Sequence, residues 1–314
     1  MESFFQTQYK LGVDSKSHDS MIRLYETAGA YGEFCSKANE GSDAKYANTV
    51  AVAHDMLNYV EKSQARRGED PQKGLLYYYG VSYGTTLGAT FASLFPDRIA
   101  RMVLDGVQTT EDYFKGAWSK NSYDVDAAVE EYFRTCFNAG PELCAFWDNS
   151  TEAIATRTRN VLEAVRRDPV PVGDLTIVKY PFLVTYDDVD FLLLWSMYSP
   201  LERFPLIAQI FAELEVRNGT TTAALLQQSP PTSADPTNLI APIDAAGRYN
   251  LSTFEKWEKH VEEIGKQSKW AADAWASLGL PGRNLKIFPP ESQLFDGKND
   301  FRNWKENGLK IDNA

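Results

Sequence analysis

Long apolar runs are missing from this sequence: nowhere do its 314 residues hold the roughly 18–20 consecutive apolar positions that a membrane-spanning helix needs. No membrane partner is therefore expected. The first residues, Met1-Glu2-Ser3-Phe4-Phe5-Gln6, lack the basic and then apolar layout of a signal peptide, so the chain as written carries no export signal. Basic clusters are equally scarce. With a net charge of −11 and no basic cluster longer than Ala65-Arg66-Arg67, the chain has little surface with which to neutralise phosphates, which argues against nucleic acid as a partner.

Cysteine is limited to Cys35, Cys136 and Cys144, which fit neither a metal site nor a dense disulfide framework, and no metal or cofactor is expected. Cys136 and Cys144 bracket a short loop whose Gly140-Pro141 turn can bring the two sulfurs together in an oxidising compartment; the alternative is two reduced, half-buried thiols. Histidine is just as rare. His18, His54 and His260 are the only imidazoles in the chain, so any mechanism that needs a histidine base has three candidates.

What is present is ample core material, with 43% hydrophobic and 13% aromatic residues, enough for one large or two small globular domains. Apolar residues at helical spacing predict amphipathic helices over 19–38 and 46–61. The wholly apolar and aromatic run 75–79 then reads as a buried parallel strand. A tight turn over 80–84, a small-residue helix over 85–94, the stop Phe95-Pro96-Asp97 and a second apolar strand over 99–104 complete a strand-helix-strand unit with a parallel crossover.

After Gly106 the pattern turns helical, aromatic-rich and acidic. Helices are predicted over 125–137, 151–167, 187–198, 204–217, 253–267 and 270–278, with Thr185 and Asp188 placed for a helix-starting cap. The Pro- and Ser-rich interval 229–236 reads as a loop or linker, and the stretch from Lys286 carries no strand signal. The expected organisation is a core over 1–109, a helical lid over 110–290 and an irregular tail over 291–314.

Chemistry concentrates in Gly80-Val81-Ser82-Tyr83-Gly84, which matches G-x-S-x-G. That motif serves acyl transfer when the serine stands at a sharp strand-to-helix turn, where a strained backbone exposes the hydroxyl and the flanking glycines let strand and helix approach. Here a strand precedes and a helix follows. Ser82 is accordingly the candidate nucleophile, Gly80 and Gly84 the structural residues of the elbow, and the backbone N–H of Tyr83 one half of an oxyanion hole.

The segments Asn48-Thr49-Val50-Ala51-Val52-Ala53-His54-Asp55-Met56, Tyr79-Gly80-Val81-Ser82-Tyr83-Gly84-Thr85-Thr86-Leu87-Gly88-Ala89-Thr90, Phe95-Pro96-Asp97-Arg98-Ile99 and Val103-Leu104-Asp105-Gly106-Val107 resemble the tripeptidyl-aminopeptidase and proline-iminopeptidase branch of serine hydrolases. The resemblance is tight over 25–147 and looser beyond, where Tyr198-Ser199-Pro200 and Pro289-Pro290-Glu291-Ser292 are similar to parts of the family's helical lid. It implies an α/β-hydrolase fold, a peptide substrate, release of short peptides or single residues from free N-termini through an acyl-enzyme on Ser82, and a secreted protein.

The departures from that pattern are as informative. In this fold acid and histidine follow the nucleophile in sequence. His18 and His54 precede Ser82, and His260 sits among Glu258, Lys259 and Glu262, where a solvated surface histidine is expected. The Gly-rich oxyanion segment that should precede the elbow is also missing, since the first 20 residues contain only Gly12. Asp105, at the end of a strand, suits a turn or capping role better than that of a catalytic acid. The expectation is therefore an α/β chain holding part of an α/β-hydrolase fold, a parallel strand-helix-strand core with a large helical lid, inactive alone. A non-catalytic peptide-binding pseudo-hydrolase and an esterase or lipase lineage are the alternatives.

Overall fold

The computed structural model describes residues 12–228 and 235–295. In chain order the first half holds α1 (His18–Ala38), α2 (Thr49–Arg66), β1 (Leu76–Val81), α3 (Tyr83–Leu94), β2 (Ile99–Asp105), α4 (Thr110–Lys115) and α5 (Val125–Ala139). Then follow α6 (Thr151–Arg167), β3 (Val170–Val172), β4 (Phe182–Val184), α7 (Tyr186–Ser196), α8 (Pro200–Glu215) and α9 (Thr220–Gln228). Last come α10 (Asp235–Ala245), α11 (Phe254–Gly265) and α12 (Ala272–Ala276). The result is a helix-rich chain with one small parallel sheet, β1 with β2, and one short antiparallel pair, β3 with β4. None of the described helices is long and apolar enough to cross a membrane.

Two compact units divide the chain discontinuously. The first, which contains the elbow, draws on the described parts of 28–121, 234–252 and 279–314; segments assigned from sequence to the lid thus pack here. Its centre is the β1–β2 pair, in parallel register from Tyr77 opposite Arg101 to Val81 opposite Asp105. Ala53, Val60, Leu76 and Phe91 are buried together, with Met56, Leu57, Tyr78, Leu87, Ile99 and Met102 packed around them. Asn48 starts α2 by accepting from the Ala51 N–H at 2.8 Å, the side-chain cap that the orphan donors of a first turn require. Arg98 joins three segments: it donates to the carbonyls of Gly74 and Pro71, each at 3.0 Å, and to Glu61 at 2.9 Å, so the entries of both strands are held to α2.

The second unit comprises the described parts of 1–27, 122–233 and 253–278. Its core gathers Tyr132, Phe146, Ile154, Leu193, Ile207, Ile210 and Phe211 from α5 to α8, closed by the β3–β4 pair. Helix α6 keeps the bounds expected from sequence, because Ser150 caps it through the Ala153 N–H at 3.1 Å and Asp168-Pro169 ends it. The Thr185 N–H and hydroxyl both reach Asp188, at 2.9 and 2.8 Å, at the start of α7. Cys136 and Cys144 are bonded, with Cα atoms 5.3 Å apart.

Several elements differ from the sequence expectation. Helix α8 starts at Pro200, since proline is accommodated at a first helical position where its missing N–H costs nothing. The β3–β4 pair is too short, at three residues a strand, to leave an alternating signature. Gly219 sits against it: a Cβ there would stand 2.9 Å from a Val172 methyl. Of the expected linker over 229–236, residues 229–234 lie outside the described residues, and 235–236 open α10, a helix with Pro242 inside it. The expected tail lies outside them from residue 296 onward.

A buried acid sits in the second unit. Asp190 is 2% exposed, and its Oδ2 has no hydrogen-bond partner among the described residues. Tyr186 donates to Asp273 at 3.1 Å and approaches Asp190 at 3.5 Å, while the Arg166 guanidinium lies 3.6 Å from the Tyr186 ring centre. Burial, and then the neighbouring Asp273, hold the Asp190 carboxyl well above the usual carboxylate range; Arg166 opposes and Asp187 reinforces this. A raised carboxyl favours folding only while the unfolded chain is also protonated, so stability is greatest below the ordinary carboxylate pKa and is lost as pH rises toward the folded value. Denaturant unfolding between pH 4 and 8 should show this decline, and Asp190→Asn should flatten it and raise stability at neutral pH. Reduction of Cys136–Cys144, which closes a loop with a sequence separation of 8, should lower the stability of this unit by about 2–3 kcal/mol. A thermal melt of Cys136→Ser/Cys144→Ser against the oxidised chain checks it.

Candidate active site at the β1–α3 turn

The turn between β1 and α3 is closed by glycine and fastened by tyrosine. A Cβ on Gly80 would stand 2.5 Å from the Gly84 carbonyl oxygen and 2.5 Å from the Tyr78 ring, so no larger residue fits while the helix starts this close to the strand. Tyr78 donates its hydroxyl to that same Gly84 carbonyl at 2.7 Å. At Gly88, one turn on, a Cβ would meet Leu104 and the Tyr78 ring at 2.7 Å. The helix is thus seated directly on both strands.

Ser82 is left at the apex with φ 56° and ψ −122°, a left-handed backbone that costs a non-glycine residue about 1–3 kcal/mol. Its surroundings over-determine that conformation. The Ser82 N–H donates to the Asp105 carbonyl at 3.1 Å, and its carbonyl accepts from the Thr85 N–H at 2.8 Å and the Thr85 hydroxyl at 2.6 Å. Gln108, just past β2, donates its N–H to Thr85 at 3.0 Å and accepts from Thr86 at 3.1 Å. Serine at a helix start ordinarily caps the first turn, yet the Ser82 side chain makes no capping hydrogen bond and is exposed. The hydroxyl remains available, and next to it the Tyr83 N–H belongs to the first helical turn, whose donors have no partner within the helix.

Behind the turn lies a buried polar group that local sequence patterns do not reveal. The Tyr83 hydroxyl is 2.7 Å from Thr49 Oγ1. Thr49 donates its hydroxyl to Asp244 Oδ2 and its N–H to Oδ1 at 2.9 Å, and Tyr113 donates to Oδ2 at 2.8 Å. Burial pushes Asp244 up to about 6 against the pull of these donors and of Arg248, and burial likewise pushes Tyr83 up to about 12. Asp244 lies 195 positions from Thr49, too far for any spacing rule to connect them.

Gly80, Ser82, Tyr83 and Gly84 come together at one turn, while Cys136 and Cys144 pair in the other unit. Asp105 ends β2 with its carboxylate accepting from the Tyr79 hydroxyl at 2.8 Å, so its side chain is engaged at the sheet end. Of the three histidines, His54 belongs to the elbow's unit and His18 and His260 to the other. His54 is exposed on α2, edge-on to Phe95, and His18 is exposed, edge-on to Phe254. His260, expected on the surface, is instead buried at 4% exposure: it shares the inward face of α11 with Trp257, Val261 and Ile264, while its charged sequence neighbours occupy the other face. It belongs to the second unit, Ser82 to the first. Among the described residues no group of three or more His, Cys, Asp or Glu side chains is arranged to hold a metal ion.

No protein-family model matches the chain. Comparison with known proteins finds serine protease Hip1 of Mycobacterium bovis and of Mycobacterium tuberculosis, each 27% identical over 209 residues, 66% of this chain and 36% of the protease. Tripeptidyl aminopeptidase of Streptomyces lividans is 46% identical over a short stretch of 56 residues, 18% of this chain and 10% of that enzyme. The chain therefore spans about a third of the length of the Hip1 proteins it matches. By sequence and at a distance, it is related to serine peptidases.

Proposed function

We propose that this chain carries the nucleophile elbow and helical lid of an α/β-hydrolase serine peptidase that acts on peptides with free N-termini through an acyl-enzyme on Ser82. The observation that carries the reading is the backbone of Ser82: a left-handed residue between a parallel strand and a helix, its hydroxyl exposed and not used as a cap. The distant similarity to Hip1 and the short match to tripeptidyl aminopeptidase support the peptidase class. In this reading Gly80 and Gly84 permit the turn, and the Tyr83 N–H is one oxyanion donor. A secreted location follows from the family resembled.

A serine hydroxyl is a weak nucleophile until a base takes its proton and an acid orients that base. His54, the histidine nearest Ser82 in sequence, packs against Phe95, and Asp105 is occupied by Tyr79. We place the base and acid outside the described residues, together with the remaining strands. The β1–β2 pair supports this. Parallel sheets are ordinarily covered on both faces, yet Tyr77, Tyr79, Val81 and Val103 are 74%, 63%, 54% and 55% exposed on one face.

A fluorophosphonate probe, which reports an activated serine directly, tests the assignment. The chain alone should label no more than Ser82→Ala. Supplied with the strand-bearing remainder of a tripeptidyl aminopeptidase, it should label at Ser82. Labelling of the isolated chain would overturn the external base, and failure in both states would overturn Ser82 as nucleophile. The open sheet also predicts self-association of the isolated chain, and a monodisperse monomer with one sharp melt in size-exclusion and calorimetry would contradict an incomplete sheet.

A further inference from the structure

The buried group behind the elbow has a direction, and the direction is set by proton count. A threonine hydroxyl has one proton. In Thr49 that proton goes to Asp244 Oδ2, so in the 2.7 Å contact between Thr49 and Tyr83 the tyrosine must be the donor. The Tyr83 proton is therefore committed inward, toward a carboxylate that also receives the Thr49 N–H and the Tyr113 hydroxyl. The ordinary structural role for Asp244 is to satisfy a first-turn N–H of α2, and the Thr49 N–H to Oδ1 contact at 2.9 Å does that. The Thr49 hydroxyl and the Tyr83 phenol are not needed for it. They form a separate line from Asp244 to the residue whose N–H stands beside Ser82.

We propose that Asp244 is a positioning residue for the elbow: acting through the Thr49 hydroxyl, it anchors the Tyr83 side chain and so fixes the Ser82–Tyr83 peptide that carries the oxyanion donor. This rests on the reading of Ser82 as nucleophile for its catalytic meaning, but the line itself exists without it. Its state follows Asp244, which burial pushes up to about 6. Above that value the carboxylate accepts and the Tyr83 proton points inward. Below it one proton from solvent enters the carboxyl; with that proton on Oδ2 donating to Thr49 Oγ1, the Thr49 proton turns to the Tyr83 oxygen and the Tyr83 proton is released for another acceptor. The count closes with one proton gained and none lost. The groups facing Asp244 keep the event single. Tyr83 from α3 and Tyr113 from α4 are both pushed up by burial and stay neutral, α2 offers the uncharged Thr49, and Arg248 donates to the Asp244 carbonyl at 2.9 Å.

The full chain labelled with [13Cζ]tyrosine, titrated from pH 4.5 to 8 with the Tyr83 signal assigned by Tyr83→Phe, tests the proposal without any turnover. Tyr83 and Tyr113 should both shift in a single step near pH 6. Asp244→Asn should abolish both steps. Thr49→Val, which keeps the N–H bond to Asp244 and removes only the hydroxyl, should cut the Tyr83 step far more than that of Tyr113, and speed amide exchange over residues 80–86 by about 2–10-fold, the loss of one hydrogen bond. Thr49→Ser should restore both. A Tyr83 step of undiminished size in Thr49→Val, or a Thr49→Ser that behaves like Thr49→Val, would overturn the line through Thr49. If Asp244→Asn does not fold, Thr49→Val and Thr49→Ser carry the test alone. A failure of Ser82 to react with fluorophosphonate leaves these signals untouched, so the two ideas fail separately.

Discussion

The closeness of α3 to the two strands is the constraint on which the elbow depends. Gly80, Gly84 and Gly88 recur every fourth residue, and Tyr78 lies along them: its ring meets the space above Gly80 and Gly88, and its hydroxyl holds the Gly84 carbonyl. With the helix drawn in to this distance, the chain has a single residue in which to turn from strand to helix. That residue is Ser82, and its left-handed backbone is the geometric outcome. The strain is held by hydrogen bonds from β2, α3 and the loop after β2, none of which uses the serine hydroxyl.

The open face of the β1–β2 pair is a second consequence of the same packing. Alternation puts Leu76, Tyr78 and Gly80 toward α2 and α3, and so puts Tyr77, Tyr79 and Val81 on the opposite side. The apolar character of both sides is what made the run readable as a buried parallel strand. The pattern describes an environment with two covered faces, and the described residues supply one of them.

How much was legible followed the range of the physics. The strand-helix-strand unit could be read because each boundary has a local cause: Pro71 before β1, the glycines at the turn, Phe95-Pro96 before β2. Helix α6 was readable to the residue for the same reason, with Ser150 at one end and Pro169 beyond the other. The β3–β4 pair and α10 were not, the first because three residues are too few for a period, the second because Pro236 and Pro242 read as breakers. His260 escapes a reading along the chain because sequence neighbours are not neighbours on a helix face; Glu258, Lys259 and Glu262 flank it in sequence, whereas Trp257, Val261 and Ile264 share its buried face. The elbow residues were visible in their motif. The Thr49–Asp244 contact was not, since only tertiary packing brings α10 to the start of α2.

Arg98 carries a consequence for the order in which the molecule assembles. Its partners Gly74, Pro71 and Glu61 lie 24, 27 and 37 positions away, whereas Asp244 reaches Thr49 across 195. Closing a short loop costs less entropy and happens sooner than closing a long one. A nascent chain can therefore clasp both strands and α2 through one guanidinium while α10 is still unsynthesised, and the strained serine is formed before the aspartate that sits behind its neighbour has arrived.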